Sequence, residues 1–297
     1  MTRKKTTISL VLGSGGARGL AHIGVIRYLE EQGYHIASIA GSSMGAVIGG
    51  IHAAGKLQIY EDWIRTIDKF DIFSLLDFSF SGSGLVKGDR LMRKLREMIG
   101  ETTIEQLPVP FTAVAADLER EREVWISRGP LFDAIRASIA MPLFFTPFDY
   151  KGTRLLDGGI FNPVPIAPTY HDLTDLTVAV SLLGSAGHKK DMRRKQEATS
   201  PPNGVESLAR RAREFFGRFF PDDPSREKDW DYTDIASQAL DAMQGVIVRQ
   251  KLAAHPPDVL IEIPRDACSL LDFDRADELI RLGHETAARA LREGANG

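Results

Sequence analysis

The chain has 297 residues, 43% hydrophobic and 26% charged, with 37 Lys and Arg against 40 Asp and Glu for a net charge of −3. That balance excludes a disordered or fibrous chain and, without a basic excess, argues against a dedicated nucleic-acid binder. The single cysteine, Cys268, excludes an internal disulfide and a cysteine zinc cluster, and it fits a reducing compartment. No run approaches the roughly 18 apolar residues of a membrane span. The apolar run at residues 8–12, behind a basic start, falls short of a signal-peptide core of about 7–15 residues. A cytoplasmic protein is expected.

In chain order, residues 8–12 read as an apolar strand running straight into glycines. Residues 18–32 carry Leu20, Ile23, Ile26 and Leu29 at helical spacing, with Gly33 as the stop. Residues 36–40 predict a second strand, and 44–54 a helix of small residues closed by Gly55. A strand at 111–116 and a helix at 131–140, ended by Met141-Pro142, follow. A short strand at 155–156 precedes Asp157-Gly158-Gly159, and 176–183 predict a buried strand. This rhythm implies an α/β fold, a three-layer α/β/α sandwich around a mostly parallel central sheet.

Residues 185–230 differ in character. A charge cluster at 189–195 and breakers at Ser200-Pro201-Pro202-Asn203-Gly204 and Pro221-Asp222-Asp223-Pro224 read as an insertion or flexible excursion. Regular structure resumes with a helix at 233–253, a strand at 259–263 and a closing helix at 274–293. Residues 7–170 therefore read as the core that carries the motifs, and 171–297 as the completion of the same domain.

The sharpest motif is Gly41-Ser42-Ser43-Met44-Gly45, a G-x-S-x-G between a strand and a helix. A strand turning abruptly into a helix strains its central residue and crowds the positions two before and two after it. Gly41 and Gly45 relieve that crowding, and Ser43 projects its hydroxyl at the positive end of the following helix. A second strand-to-helix loop, Gly13-Ser14-Gly15-Gly16-Ala17-Arg18-Gly19, fails as a dinucleotide fingerprint because Arg18 occupies the place of the last glycine. It reads better as an oxyanion hole, with the Gly15 and Gly16 amides as donors and Arg18 fixing the loop or adding charge. The stretch from Gly50 to Lys56 nearly matches a phosphate loop, but Leu57 replaces the required hydroxyl and the segment ends a helix.

A nucleophilic serine needs a base. Of seven histidines, His22 and His52 lie in helices beside the glycine motifs, and His171 is the best candidate for a Ser–His–Asp arrangement. The other candidate is Asp157, a carboxylate at a strand end whose followers Gly158 and Gly159 permit close approach to another loop. No H-E-x-x-H, C-x-x-C or calcium loop occurs, so neither a metal nor an organic cofactor is expected.

The three motifs, in this order, resemble the patatin-like phospholipases. The glycine-rich loop ending in Arg18-Gly19, the G-x-S-x-G and the Asp157-Gly158-Gly159 turn carry the likeness. Ala116-Asp117-Leu118, the segment from Ala134 to Ser138 with Met141-Pro142, and Asn162 and Pro165 support it. Ser14 departs from the family's longer glycine run. The resemblance implies a Ser–Asp dyad. Ser43 attacks an ester carbonyl, Asp157 takes its proton, Gly15 and Gly16 hold the oxyanion, and water releases the acyl group. The implied substrates are phospholipids, lysophospholipids or other fatty-acyl esters. Two other readings stay open: a Ser–His–Asp esterase or thioesterase using His171, and a non-catalytic lipid-binding regulatory module.

Two further stretches bear on a lipid substrate. On a helix over 204–220, Val205, Leu208, Ala212, Phe215, Phe216 and Phe219 share one face, and residues 188–220 hold nine Lys and Arg against four Asp and Glu. Such a segment suits peripheral contact with an anionic inner-membrane surface, or serves as a lid. The apolar run from Trp63 to Phe80 reads as core more readily than as an acyl-chain pocket.

Overall fold

The computed structural model describes residues 5–75, 77, 86–142, 144–187 and 232–294. Its strands are β1 (Thr7–Leu12), β2 (His35–Ser42), β3 (Phe111–Asp117), β4 (Arg122–Ile126), β5 (Phe148–Tyr150), β6 (Thr153–Asp157), β7 (Leu176–Gly184) and β8 (Val259–Pro264). Its helices are α1 (Ala21–Glu31), α2 (Met44–Ala53), α3 (Leu57–Ile64), α4 (Lys69–Leu75), α5 (Asp89–Ile99), α6 (Leu131–Ser138), α7 (Tyr232–Ala254) and α8 (Ala276–Gly294). The strands make one sheet in the order β5-β6-β3-β2-β1-β7-β8, with β4 also paired to β3.

Burial on both faces explains the apolar strands. Ile8, Leu10 and Leu12 of β1 enter a large core with Val178 and Val180 of β7 and Ile261 of β8. Val11 and Ala179 turn the other way, against Val164, Ile166 and Val248 of α7. The alternation is the two-residue period of a strand, and its apolar character on both faces is that of a parallel sheet covered by helices. α1, α2, α6 and α8 contribute to the first core and α7 to the second, so the layers are α/β/α. β7 and β8, from beyond residue 170, pair in parallel on the β1 side of the sheet.

The other side is antiparallel, and it decides where the site falls. β2 runs parallel to β3 and pairs Gly41 with Ala113 and Ser42 with Val114. β6 runs antiparallel to β3 and pairs Asp157 with Ala115 and Leu156 with Ala116. β4 pairs with β3 across Ala113 to Asp117. A strand has two edges, so β4 occupies one while β2 and β6 share the other, end to end. The chain leaving β2 and the chain leaving β6 therefore meet.

Most predicted elements appear within a residue or two of their expected bounds. The first turn predicted for α1 is instead a 3-10 turn at Gly16–Leu20, where Gly16 has φ +58° and the Ala17 amide donates to the Leu270 carbonyl at 2.8 Å. β4, β5 and the helices α3 to α5 are additions to the predicted set. The membrane-contact segment at 204–220, and nearly all of the 185–230 excursion, lie outside the described residues, as do Leu76, Phe78 and Phe80.

Candidate active site

Ser43 stands between β2 and α2 with φ +55° and ψ −123°, a backbone region that residues other than glycine rarely occupy. Holding it there costs on the order of 1–3 kcal/mol, supplied by the surrounding structure. The elbow closes only because its glycines lack side chains. A Cβ on Gly41 would stand 2.4 Å from the Gly45 carbonyl oxygen, and one on Gly45 would stand 2.0 Å from that of Leu12. The Ser43 carbonyl accepts the amides of Ala46 and Val47 and so starts α2. Its own amide donates to Ser138 Oγ at 2.9 Å, and the Ser138 hydroxyl donates to the Val114 carbonyl at 2.6 Å. Ser138, on α6, thus anchors the elbow to β3. Nothing in its local sequence marks that role, which arises from a contact 95 positions away.

Asp157 ends β6, and its amide donates to the Ala140 carbonyl at 3.0 Å. Its Oδ2 accepts the Ser43 hydroxyl at 2.6 Å across 114 positions, and its Oδ1 accepts the Gly159 amide at 2.7 Å. The side chain is 1% exposed. Burial pushes its pKa up from 3.8 to about 6, against the pull of the hydrogen bonds from Ser43 and Gly159. The two glycines after it permit the approach. A Cβ on Gly158 would lie 2.1 Å from the Val114 carbonyl oxygen, and one on Gly159 would lie 2.5 Å from Ser14 Oγ.

The glycine-rich loop lies beside this pair. The amides of Gly13, Ser14 and Ala17 are taken by the carbonyls of Val180, Pro163 and Leu270. Among the described residues no acceptor takes the amides of Gly15 or Gly16. Gly16, Ser43 and Asp157 line one cavity. Arg18 is buried, and its guanidinium donates to the Gly15 carbonyl at 3.0 Å and to the Arg265 carbonyl at 2.7 Å. It holds the loop rather than facing the cavity. His22, also buried, donates through Nε2 to the Gly13 carbonyl at 2.9 Å, and burial lowers its pKa to about 4, so it is neutral. Ser14, which departs from the family's glycine run, is buried with its hydroxyl unpaired among the described residues.

The cavity is apolar and has a volume of about 120 Å³. Its walls include Met44 and Val47 of α2, Trp63 and Ile64 of α3, and Leu91 and Leu95 of α5. The expectation that the run beginning at Trp63 is core holds for its described residues Trp63, Ile72 and Leu75, with one addition. Trp63, Ile72 and Leu75 pack against the core, but they also line the cavity that reaches Ser43. Helices α3 to α5 hold them there.

His171 lies elsewhere. It is exposed, and its neighbour Asp172 accepts hydrogen bonds from Ser9 and Ser38. Ser38 sits on β2 five positions before Ser43, roughly 16 Å along an extended strand. Among the described residues no group of three or more His, Cys, Asp or Glu side chains gathers as a metal site.

A three-layer α/β sheet with a serine elbow facing a buried aspartate, beside a glycine loop, is the frame onto which the comparisons fall. The family model for patatin-like phospholipase matches residues 10–170. This chain belongs to the patatin-like phospholipase family. An uncharacterized NTE family protein of Mycobacterium tuberculosis is 40% identical over 327 aligned residues, which cover 96% of this chain and 91% of that one. Lysophospholipase nte1 of Emericella nidulans is 31% identical over 168 residues, 54% of this chain and 11% of that one. The solved structure of VipD from Legionella pneumophila superposes with a TM-score of 0.48 at 14% identity, covering 98% of this chain and 67% of that one. Membership of a phospholipase family supports lipid hydrolase activity. No helix among the described residues is long and apolar enough to cross a membrane.

Proposed function

We propose that this chain is a serine acyl hydrolase that cleaves the fatty-acyl esters of lysophospholipids and phospholipids through a Ser43–Asp157 dyad. The observation that carries the reading is the 2.6 Å hydrogen bond from Ser43 Oγ to Asp157 Oδ2 at the wall of an apolar cavity. Residues 7–170 carry the machinery, and 171–297 complete the same catalytic domain.

In the first half-reaction Asp157 takes the Ser43 proton as Oγ bonds to the ester carbonyl carbon. The amides of Gly15 and Gly16 hold the developing oxyanion, each such donor being worth about 3 kcal/mol. As the tetrahedral species collapses, the alcohol leaves with the proton from Asp157, and the acyl group stays on Ser43. A water then attacks that ester and gives its proton to Asp157. Ser43 recovers a proton as the fatty acid departs. A positioned base contributes roughly 10²–10⁴ in rate. The acyl chain lies along the apolar cavity.

The test is release of fatty acid from lysophosphatidylcholine, phosphatidylcholine and a nitrophenyl acyl ester, followed by mass spectrometry, with Ser43→Ala as control. Product should appear with the wild type and be absent with Ser43→Ala. A wild type inert on all three esters overturns the reading.

A further inference from the structure

Ser14, in the glycine-rich loop, is 1% exposed, and its hydroxyl oxygen meets no hydrogen-bond partner among the described residues. A buried polar atom left that way is uncommon and calls for a role. The backbone does not supply one, because the bond from the Ser14 amide to the Pro163 carbonyl would serve glycine equally well. The side chain packs instead on the turn after β6. A Cβ built on Gly159 would stand 2.5 Å from Ser14 Oγ and 3.0 Å from Asp157 Oδ1, so the two oxygens lie within 5.5 Å of each other. No direct bond joins them, but one water with two hydrogen bonds of about 2.8 Å spans such a gap. Asp157 Oδ1 accepts the Gly159 amide, and a carboxylate oxygen has room for a second donor. The charged groups on the surrounding elements are committed elsewhere. Asp117 of β3 pairs with Arg120 and Arg122, Glu123 of β4 with Lys251, Arg154 of β6 with Glu119, and Asp133 of α6 with Arg96. Arg136 donates to the Lys87 and Thr146 carbonyls, Arg18 to those of Gly15 and Arg265, and neutral His22 to that of Gly13.

We infer that Ser14 is a positioning residue for the Asp157 carboxylate. Its hydroxyl donates to one bridging water, which donates in turn to Asp157 Oδ1, the oxygen that does not hold Ser43. The bridge keeps Oδ2 turned toward Ser43 and favours the ionised carboxylate, the form that can take the Ser43 proton. The inference deepens the hydrolase reading and rests on it for the role of Asp157, though not for the contact itself. Removing the hydroxyl withdraws a donor from the charged form, so the carboxyl should hold its proton to higher pH.

Two measurements on the full chain test it, each with Ser14→Ala and Ser14→Gly so that one folded variant suffices. The first is kcat/KM against pH on a soluble nitrophenyl ester. Both variants should move the acid-side midpoint up by about half to one pH unit, a three- to tenfold change in carboxyl acidity. The second needs no turnover. In Ser43→Ala carrying ¹³C-carboxyl aspartate, the signal lost on Asp157→Asn is titrated, and adding Ser14→Ala or Ser14→Gly should raise its midpoint by a similar amount. A hydroxyl that only fills space would change the melting temperature and leave both midpoints where they were. Equal or lower midpoints in the variants, in either measurement, overturn the inference. A wild type inert on the ester, with the carboxyl shift intact in the second measurement, instead contradicts the hydrolase reading and spares the contact.

Discussion

Ser42 and Asp157 occupy successive positions along one edge of β3, opposite Val114 and Ala115. β2 arrives parallel to β3 and β6 antiparallel, so the residue after Ser42 and the last residue of β6 are driven together by strand pairing. The 2.6 Å contact between Ser43 and Asp157 is thus a consequence of sheet register, not of a flexible loop finding its partner. Rigid elements hold such a pair to the tolerance that proton transfer needs.

That geometry sets a pH dependence. Asp157 must be ionised to accept the Ser43 proton, and burial has raised its pKa to about 6. We expect kcat/KM to rise with pH, with a midpoint near 6, and to level off above it. A pH–rate profile on a soluble ester checks this. A midpoint near 4 indicates that the carboxylate is not buried during catalysis.

The same shift carries a stability consequence of opposite sign. Because the folded pKa lies above the ordinary 3.8, the contribution of Asp157 to stability is present below 3.8 and lost as pH rises to about 6. That loss is on the order of 3 kcal/mol. Asp157→Asn keeps the shape, and its amide can donate to Ser43 Oγ. We expect thermal denaturation at pH 8 to show Asp157→Asn melting at or above the wild type, while its turnover falls by roughly 10²–10⁴.

Ser138 is expected to act on Ser43 by position. Ser138→Ala removes the acceptor of the Ser43 amide, at a cost of about 1–3 kcal/mol. Steady-state kinetics should show kcat reduced by about five- to a hundredfold, with KM little changed, because Ser138 does not line the cavity. An increase in KM at unchanged kcat contradicts the assignment.

The elbow glycines are expected to be requirements of folding. An added Cβ at Gly45 stands 2.0 Å from the Leu12 carbonyl oxygen, backbone that cannot swing aside. Gly45→Ala should therefore be destabilised by several kcal/mol, in the range of severe core disruption, and should express mainly as insoluble protein. A soluble variant with wild-type melting contradicts this.

His171 is expected to be dispensable. It lies on the far stretch of the sheet, next to the Asp172 network with Ser9 and Ser38. His171→Ala should retain turnover within about twofold, because a surface substitution away from the site changes stability by under about 0.5 kcal/mol. A loss of several orders of magnitude restores the Ser–His–Asp alternative.

The sequence reading was strongest where the backbone demands a residue type. Gly41, Gly45, Gly158 and Gly159 are fixed by atoms within 3 Å of where a side chain would begin, so their motifs are local and visible. Ser138 was invisible as an anchor because its partners, Ser43 and Val114, are distant in sequence and a serine late in a helix has many bland explanations. The second role of these core residues as cavity wall was illegible for a related reason. Trp63, Ile72 and Leu75 are apolar whether they face a filled core or a space, and composition does not separate the two. β4 and β5 escaped because they are short and half-exposed, with too few residues to show a period.

The most direct measurement is intact-mass labelling with a fluorophosphonate, which bonds covalently to an activated serine. The account predicts one adduct on the wild type, mapped by peptide sequencing to Ser43, none on Ser43→Ala, and labelling of Asp157→Asn slowed by roughly 10²–10⁴. An unlabelled wild type, or Ser43→Ala and Asp157→Asn labelling as fast as wild type, would contradict it.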